Sequence, residues 1–114
     1  MDQHELKAAC LALPGAVEDF PFGDEVSVFK VGGKMFAASH LDAEPLQLSV
    51  KCDPDLAVQL RAAHPAIAPG YHLNKRHWNT ITLDGSLPGQ MVTDMLAASY
   101  DLVVASLPKA RRPA

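Results

Sequence analysis

Apolar positions recur at helical spacing at the start of the chain: Leu6, Ala9, Cys10 and Leu13 fall on one face, and Pro14-Gly15 ends the pattern. Asp2 precedes Glu5 by the spacing of a capping box, so the helix is expected to begin there. The stretch AVEDFPFGDE then reads as a loop, with Phe20 and Phe22 expected to anchor it against the core. From Val26 the period changes. VSVFKV is β-branched and strand-like, Gly32-Gly33 is a hairpin turn, and KMFAASHL returns as a second strand. DAEP forms another turn, and LQLSVKC alternates apolar and polar residues as a half-buried strand does. Asp53-Pro54 is a helix start, with an acid at the N-cap and proline at the first helical position. Leu56, Leu60 and Ala63 are expected to form that helix's inner stripe, with an end near His64-Pro65. WNTITL is a further strand. The final helix runs from about Pro88 to Leu107 on an apolar face of Val92, Met95, Leu96, Ser99, Val103 and Leu107.

The predicted order is α-β-β-β-α-β-α, with room for a short strand inside residues 66–73. Helices at both ends and antiparallel strands between them define an α+β two-layer domain, with the N- and C-terminal helices packed side by side on one sheet face. One domain is expected over residues 1–108, followed by a basic tail at 109–114. With 48% hydrophobic and 20% charged residues, the 114-residue composition is that of a folded domain rather than a disordered chain. No apolar run approaches the roughly 20 residues of a membrane span, and no basic, apolar leader precedes the first helix, so a cytoplasmic monomer is expected. Cys10 and Cys52 sit in apolar patterns without ligand spacing and read as free thiols.

Charge changes this picture. The formal net charge of −3 argues against a general affinity for nucleic acid. Between Leu56 and Leu83, however, there is no acid, while Arg61, Lys75, Arg76 and three histidines are present. Within that segment, PGYHLNKRHWNTI concentrates histidine, lysine, arginine, tyrosine and the only tryptophan.

Together with FPFG at Phe20–Gly23, KMFA at Lys34–Ala37, LSVKCDPDLAVQLR at Leu48–Arg61 and SYDLVV at Ser99–Val104, the GYHLNKRHW core resembles the MmcQ/YjbR family. The likeness runs in order over nearly the whole chain and leaves out only the PKARRPA tail. It implies a frataxin-like (CyaY-like) fold, and DNA binding through similarity to a double-wing DNA-binding domain. The resemblance assigns no catalytic or binding residues, and a fold alone does not define a function.

The motif's own chemistry gives the candidate site. Lys75 and Arg76 can neutralise phosphates, and Asn74, His72 and His77 can donate to phosphates or bases. Tyr71 and Trp78 can stack on an exposed base, and Lys34, Lys51 and Arg61 extend the patch if the fold gathers them. A purely structural reading stands beside this one: Trp78 opens a strand and suits the core edge, Tyr71 packs over a Pro-Gly turn, and Lys75-Arg76 form a solvated loop. In it, Asn79 ties the loop to backbone groups. The same basic groups would also suit an anionic small molecule or a protein partner. Metal binding is not expected, because His72 and His77 are five residues apart, a spacing that suits neither a helix face nor a strand face. VGGK lacks the remainder of a phosphate loop and reads as a hairpin. The expected function is DNA binding without catalysis, metal or cofactor.

Overall fold

The structure, a computed structural model, describes residues 1–70 and 73–113. The chain forms α1 (Gln3–Leu11), β1 (Val17–Asp19), β2 (Val26–Val31), β3 (Lys34–His40), β4 (Gln47–Lys51), α2 (Pro54–Ala63), β5 (Ile67–Pro69), β6 (Trp78–Thr82) and α3 (Gly89–Ser106). A 3-10 turn, Lys109–Arg111, follows. The strands make one six-stranded antiparallel sheet in the order β1-β2-β3-β4-β6-β5. The α+β class is as expected. The order is corrected to α-β-β-β-β-α-β-β-α: the additions are the two three-residue edge strands. β5 fills the space left for a strand in residues 66–73, whereas β1 replaces part of the expected AVEDFPFGDE loop.

Register decides what each side of the sheet does. Phe29, Ala37 and Val50 pair across neighbouring strands, as do Ser39, Leu48, Ile81 and Ile67, so both rows share one face. These residues join Leu6 and Cys10 of α1 and Val92, Leu96, Tyr100 and Val103 of α3 in a single core. The terminal helices thus cover the same face, and the stripes read from their sequences are the ones buried there. Tyr100 is an addition: its ring meets Phe36 edge-on at 5.4 Å and its hydroxyl donates to the Pro14 carbonyl at 2.6 Å. Ser99 seats α3 on the sheet. Its buried hydroxyl donates to the Phe36 carbonyl at 2.6 Å and accepts from the Lys51 amide at 2.8 Å, bridging β3 and β4 where their ladder ends.

Local signals act as expected at the helix starts. Asp2 and Glu5 form the reciprocal capping box, and Asp53 accepts from the amides of Asp55 and Leu56 ahead of Pro54. The inner face of α2 differs. Ala57 is fully buried and Leu60 packs on the core, while Leu56 and Ala63 are exposed. α2 lies beside β5 and β6, where a small residue permits close approach. Phe20 and Phe22 do not anchor the core either, being 42% and 70% exposed. Pairing of β1 with β2 instead fixes their loop: Glu18 takes the Ser27 hydroxyl and the Lys7 ammonium, and Asp19 takes Lys30.

Residues 109–113 fold back on the domain. Arg112 donates to the carbonyls of Leu107 and Ala105, satisfying the end of α3. Gly32, at a φ of +57°, lies where a Cβ would stand 2.6 Å from the Leu107 side chain and 2.9 Å from the Arg111 carbonyl. The hairpin turn therefore needs glycine both for its left-handed backbone and for the seating of the C-terminal segment. Both cysteines are free thiols, and burial, with the Glu18 charge nearby, pushes Cys10 up to about 12.

Leu96 is 2% exposed at the centre of this core. Leu96→Ala is expected to cost roughly 2–5 kcal/mol, measured from the midpoint and slope of urea unfolding. A cost below about 0.5 kcal/mol, the range of surface changes, would place α3 elsewhere.

Candidate nucleic-acid interface

The motif singled out in the sequence closes the sheet where β5 returns to β6. Asn74 builds the turn. Its side-chain oxygen accepts from the Arg76 amide at 2.9 Å, and its carbonyl accepts from the amides of His77 and Trp78 at 3.2 and 3.0 Å. Gly70 donates to the Trp78 carbonyl at 2.8 Å. A Cβ on Gly70 would stand 2.7 Å from that of Trp78, so only glycine lets the two strands meet here. The Cys52 amide donates to the His77 carbonyl at 2.8 Å and joins the turn to the end of β4.

Arg61 reaches into this turn from α2. Its Nε donates to Asn79 Oδ1 at 2.6 Å, and its Nη2 donates to the carbonyls of Trp78, at 3.1 Å, and Lys75. One side chain so binds a helix, a strand and the turn together. Asn79 is fully buried, as a tying role requires, although its partner is a guanidinium rather than the backbone; its Nδ2 has no hydrogen-bond partner among the described residues.

The nine candidate residues separate into different roles. Arg61 is part of the support and not free to meet a phosphate. Lys34 pairs with Val31, on the helix-covered side, and donates to Ser106 of α3 at 3.4 Å, so it leans away from Lys51. Asn74 is the turn-former. Trp78 is half-buried and paired with Lys51 at the sheet end, in keeping with a core-edge residue. Lys75 is exposed and its ammonium donates to the Gly70 carbonyl at 3.3 Å. The Arg76 guanidinium and the Lys51 ammonium have no side-chain partner among the described residues, and His77 is half-buried beside them. His72, and Tyr71 with it, lie outside the described residues. Among the described residues no three His, Cys, Asp or Glu side chains converge as metal ligands would.

What the sequence did not reveal is how charge is distributed along the sheet. The connections at the end of Lys51 carry Lys34, Lys75, Arg76, Lys109 and Arg111, with Asp53 and Asp55 at the start of α2 and Asp101 of α3 as acidic neighbours. The connections at the opposite end carry Asp24, Glu25, Asp42, Glu44 and Asp84, with Asp2 close to Glu44, and no lysine or arginine. A net negative chain thereby presents one basic end.

Three helices and an antiparallel six-stranded sheet with a basic, motif-built end define the class: an α+β domain whose distinctive sequence lies in one β-turn. The YjbR family model matches residues 11–102, and the chain belongs to the YjbR family. It is 38% identical to the uncharacterized protein YjbR of Escherichia coli K12, over 95% of this chain and 92% of that one. With the uncharacterized protein YbdF of Escherichia coli O157:H7 the identity is 36%, covering 96% and 93%. Among solved structures, Deinococcus radiodurans protein DR2400 superposes with a TM-score of 0.89 at 46% identity, over 95% of this chain and 83% of that one. A Pseudomonas syringae protein at 23% identity shares the fold, with a TM-score of 0.77 over 90% and 98%.

The division between support and surface has a direct test. Arg61→Ala is expected to cost about 2–3 kcal/mol, because hydrogen bonds from a charged group are lost and their buried partners left open. Arg76→Ala is expected to stay within about 0.5 kcal/mol. Chemical denaturation of both variants checks this, and equal costs would deny Arg61 its supporting role.

Proposed function

We propose that this chain is a non-catalytic DNA-binding protein that engages phosphates with its basic end. The observation that carries the reading is the segregation of charge: lysine and arginine crowd the connections at one end of the sheet, and acids occupy those at the other. A polyanion is attracted to that end and repelled from the opposite one, whatever the net charge. Lys51, Lys75 and Arg76 are the first contacts, with His77 beside them, while Lys34, turned toward Ser106, adds at most one further phosphate. His72 and Trp78 complete the set drawn from the sequence. Arg61 contributes by holding the turn that carries Lys75 and Arg76. The frataxin-like, double-wing-like architecture implied by the family resemblance belongs to this proposal: the hairpin tip and the motif turn act as two adjacent projections.

About three to four phosphates would be neutralised, so log K should fall against log salt with a slope of about −3 on duplex DNA. Few contacts on a net negative chain give weak binding, on the order of micromolar at physiological salt. The double variant Lys75→Glu, Arg76→Glu is expected to lose binding at low salt while keeping the wild-type unfolding midpoint within about 0.5 kcal/mol. Fluorescence anisotropy on a short duplex across a salt series reads the outcome. A folded double variant that binds with unchanged slope would move the DNA contact away from this turn.

A further inference from the structure

We propose that the cavity between α1 and the sheet is a binding site for a small α-amino acid in its zwitterionic form. The proposal does not depend on the DNA reading, because this cavity lies between α1 and strands β1 to β3, away from the motif turn. It measures about 100 Å3. Since a cavity of roughly 150 Å3 admits a six-membered ring, this one suits a molecule the size of glycine or alanine.

The walls sort by chemistry. Ser27 and Ser39 are paired on the helix-covered face and form the floor. Glu18 enters from the edge strand, and Lys7 comes from the α1 roof. Leu6, Phe20 and Leu41 supply apolar surface between them. The Ser39 hydroxyl is buried, at 1% exposure, and has no hydrogen-bond partner among the described residues. Leaving such a group unsatisfied is costly, so the site calls for a polar occupant.

The inner end is rich in acceptors. Ser27 gives its proton to Glu18, which leaves its own oxygen free to accept. With the Glu18 carboxylate and the Ser39 oxygen, three acceptors line the same cavity, matching in number the three N–H bonds of an ammonium. At the mouth, the Lys7 ammonium stands 2.9 Å from Glu18 with its side chain 53% exposed, against 17% for Glu18. Only the lysine end of the pair is solvated, so it is the ammonium that can swing aside at modest cost. A zwitterion can part the pair, setting its ammonium against Glu18 and the serines and its carboxylate against Lys7. The small side chain then faces Phe20 and Leu41.

NMR titration of the whole chain with glycine and with alanine tests the assignment. Saturable shifts of the Ser27 and Ser39 amides are expected, with leucine excluded by size. Ser39→Ala and Glu18→Gln should each weaken glycine binding by roughly tenfold or more, the scale of a lost hydrogen bond to a charged group. Lys7→Met should weaken glycine yet strengthen ethylamine, which gains the carboxylate that lysine vacates. Absence of shifts with either amino acid would mean an ordered water only and overturn the proposal. So would ethylamine or acetate binding wild type as well as glycine does, or glycine binding unchanged in the folded Ser39→Ala and Glu18→Gln variants.

Discussion

The contact on which the rest of this architecture depends is the Arg61 guanidinium. It leaves α2 and donates to Asn79 on β6 and to the Trp78 and Lys75 carbonyls in the turn. Backbone carbonyls in an irregular turn need donors as much as those in a ladder do. A planar fork with several N–H groups can serve more than one of them from a single side chain, which a lysine cannot do. Once Arg61 is committed, the turn needs little from its own side chains beyond Asn74. Lys75 and Arg76 are then left at the surface, Arg76 without a side-chain partner among the described residues.

This divides the motif by depth. Gly70, Asn74, Trp78 and Asn79 are required by geometry: a close approach, a turn, a sheet end and a buried amide. Lys75 and Arg76 are not required by any of these. A stretch whose composition suggested one patch is in fact a frame and a cargo, and only the cargo is available to a ligand. Lys34 and Arg61, grouped with it by charge alone, are separated from it by register and by hydrogen bonding.

The sequence was most legible where structure is decided locally. The capping box at Asp2, the Asp53-Pro54 start and the terminal helix stripes depend on neighbours a few residues away, and they stand as read. It was least legible where a distant partner decides. Val17, Glu18 and Asp19 have no strand pattern of their own; β2, Lys7 and Lys30 make them one. Leu56 satisfies a helical period yet faces out, because close packing at Ala57 and the inward reach of Arg61 set the orientation of α2. Phe20 and Phe22 are hydrophobic enough to suit the core, but β1 already fixes that loop through polar pairs. Trp78 and Asn79 stand close to the roles their local sequence suggests, although nothing in the linear order names Arg61 as the partner.

The charge asymmetry follows from topology more than from any motif. In an antiparallel sheet successive connections fall at alternate ends, so a chain that alternates acidic and basic turns becomes polarised once it folds. Here FPFGDE, LDAEPL and LDGSLP lie at one end, while the glycine hairpin, the motif turn and the C-terminal segment lie at the other. Net charge averages over both ends and hides the separation. An approaching polyanion does not average: within roughly 8 Å of the surface at physiological salt it feels only the charges nearest to it. A polyanion near the basic end would therefore meet Lys51, Lys75 and Arg76 and not the acidic loops, whose field the same screening length confines to the other end of the sheet.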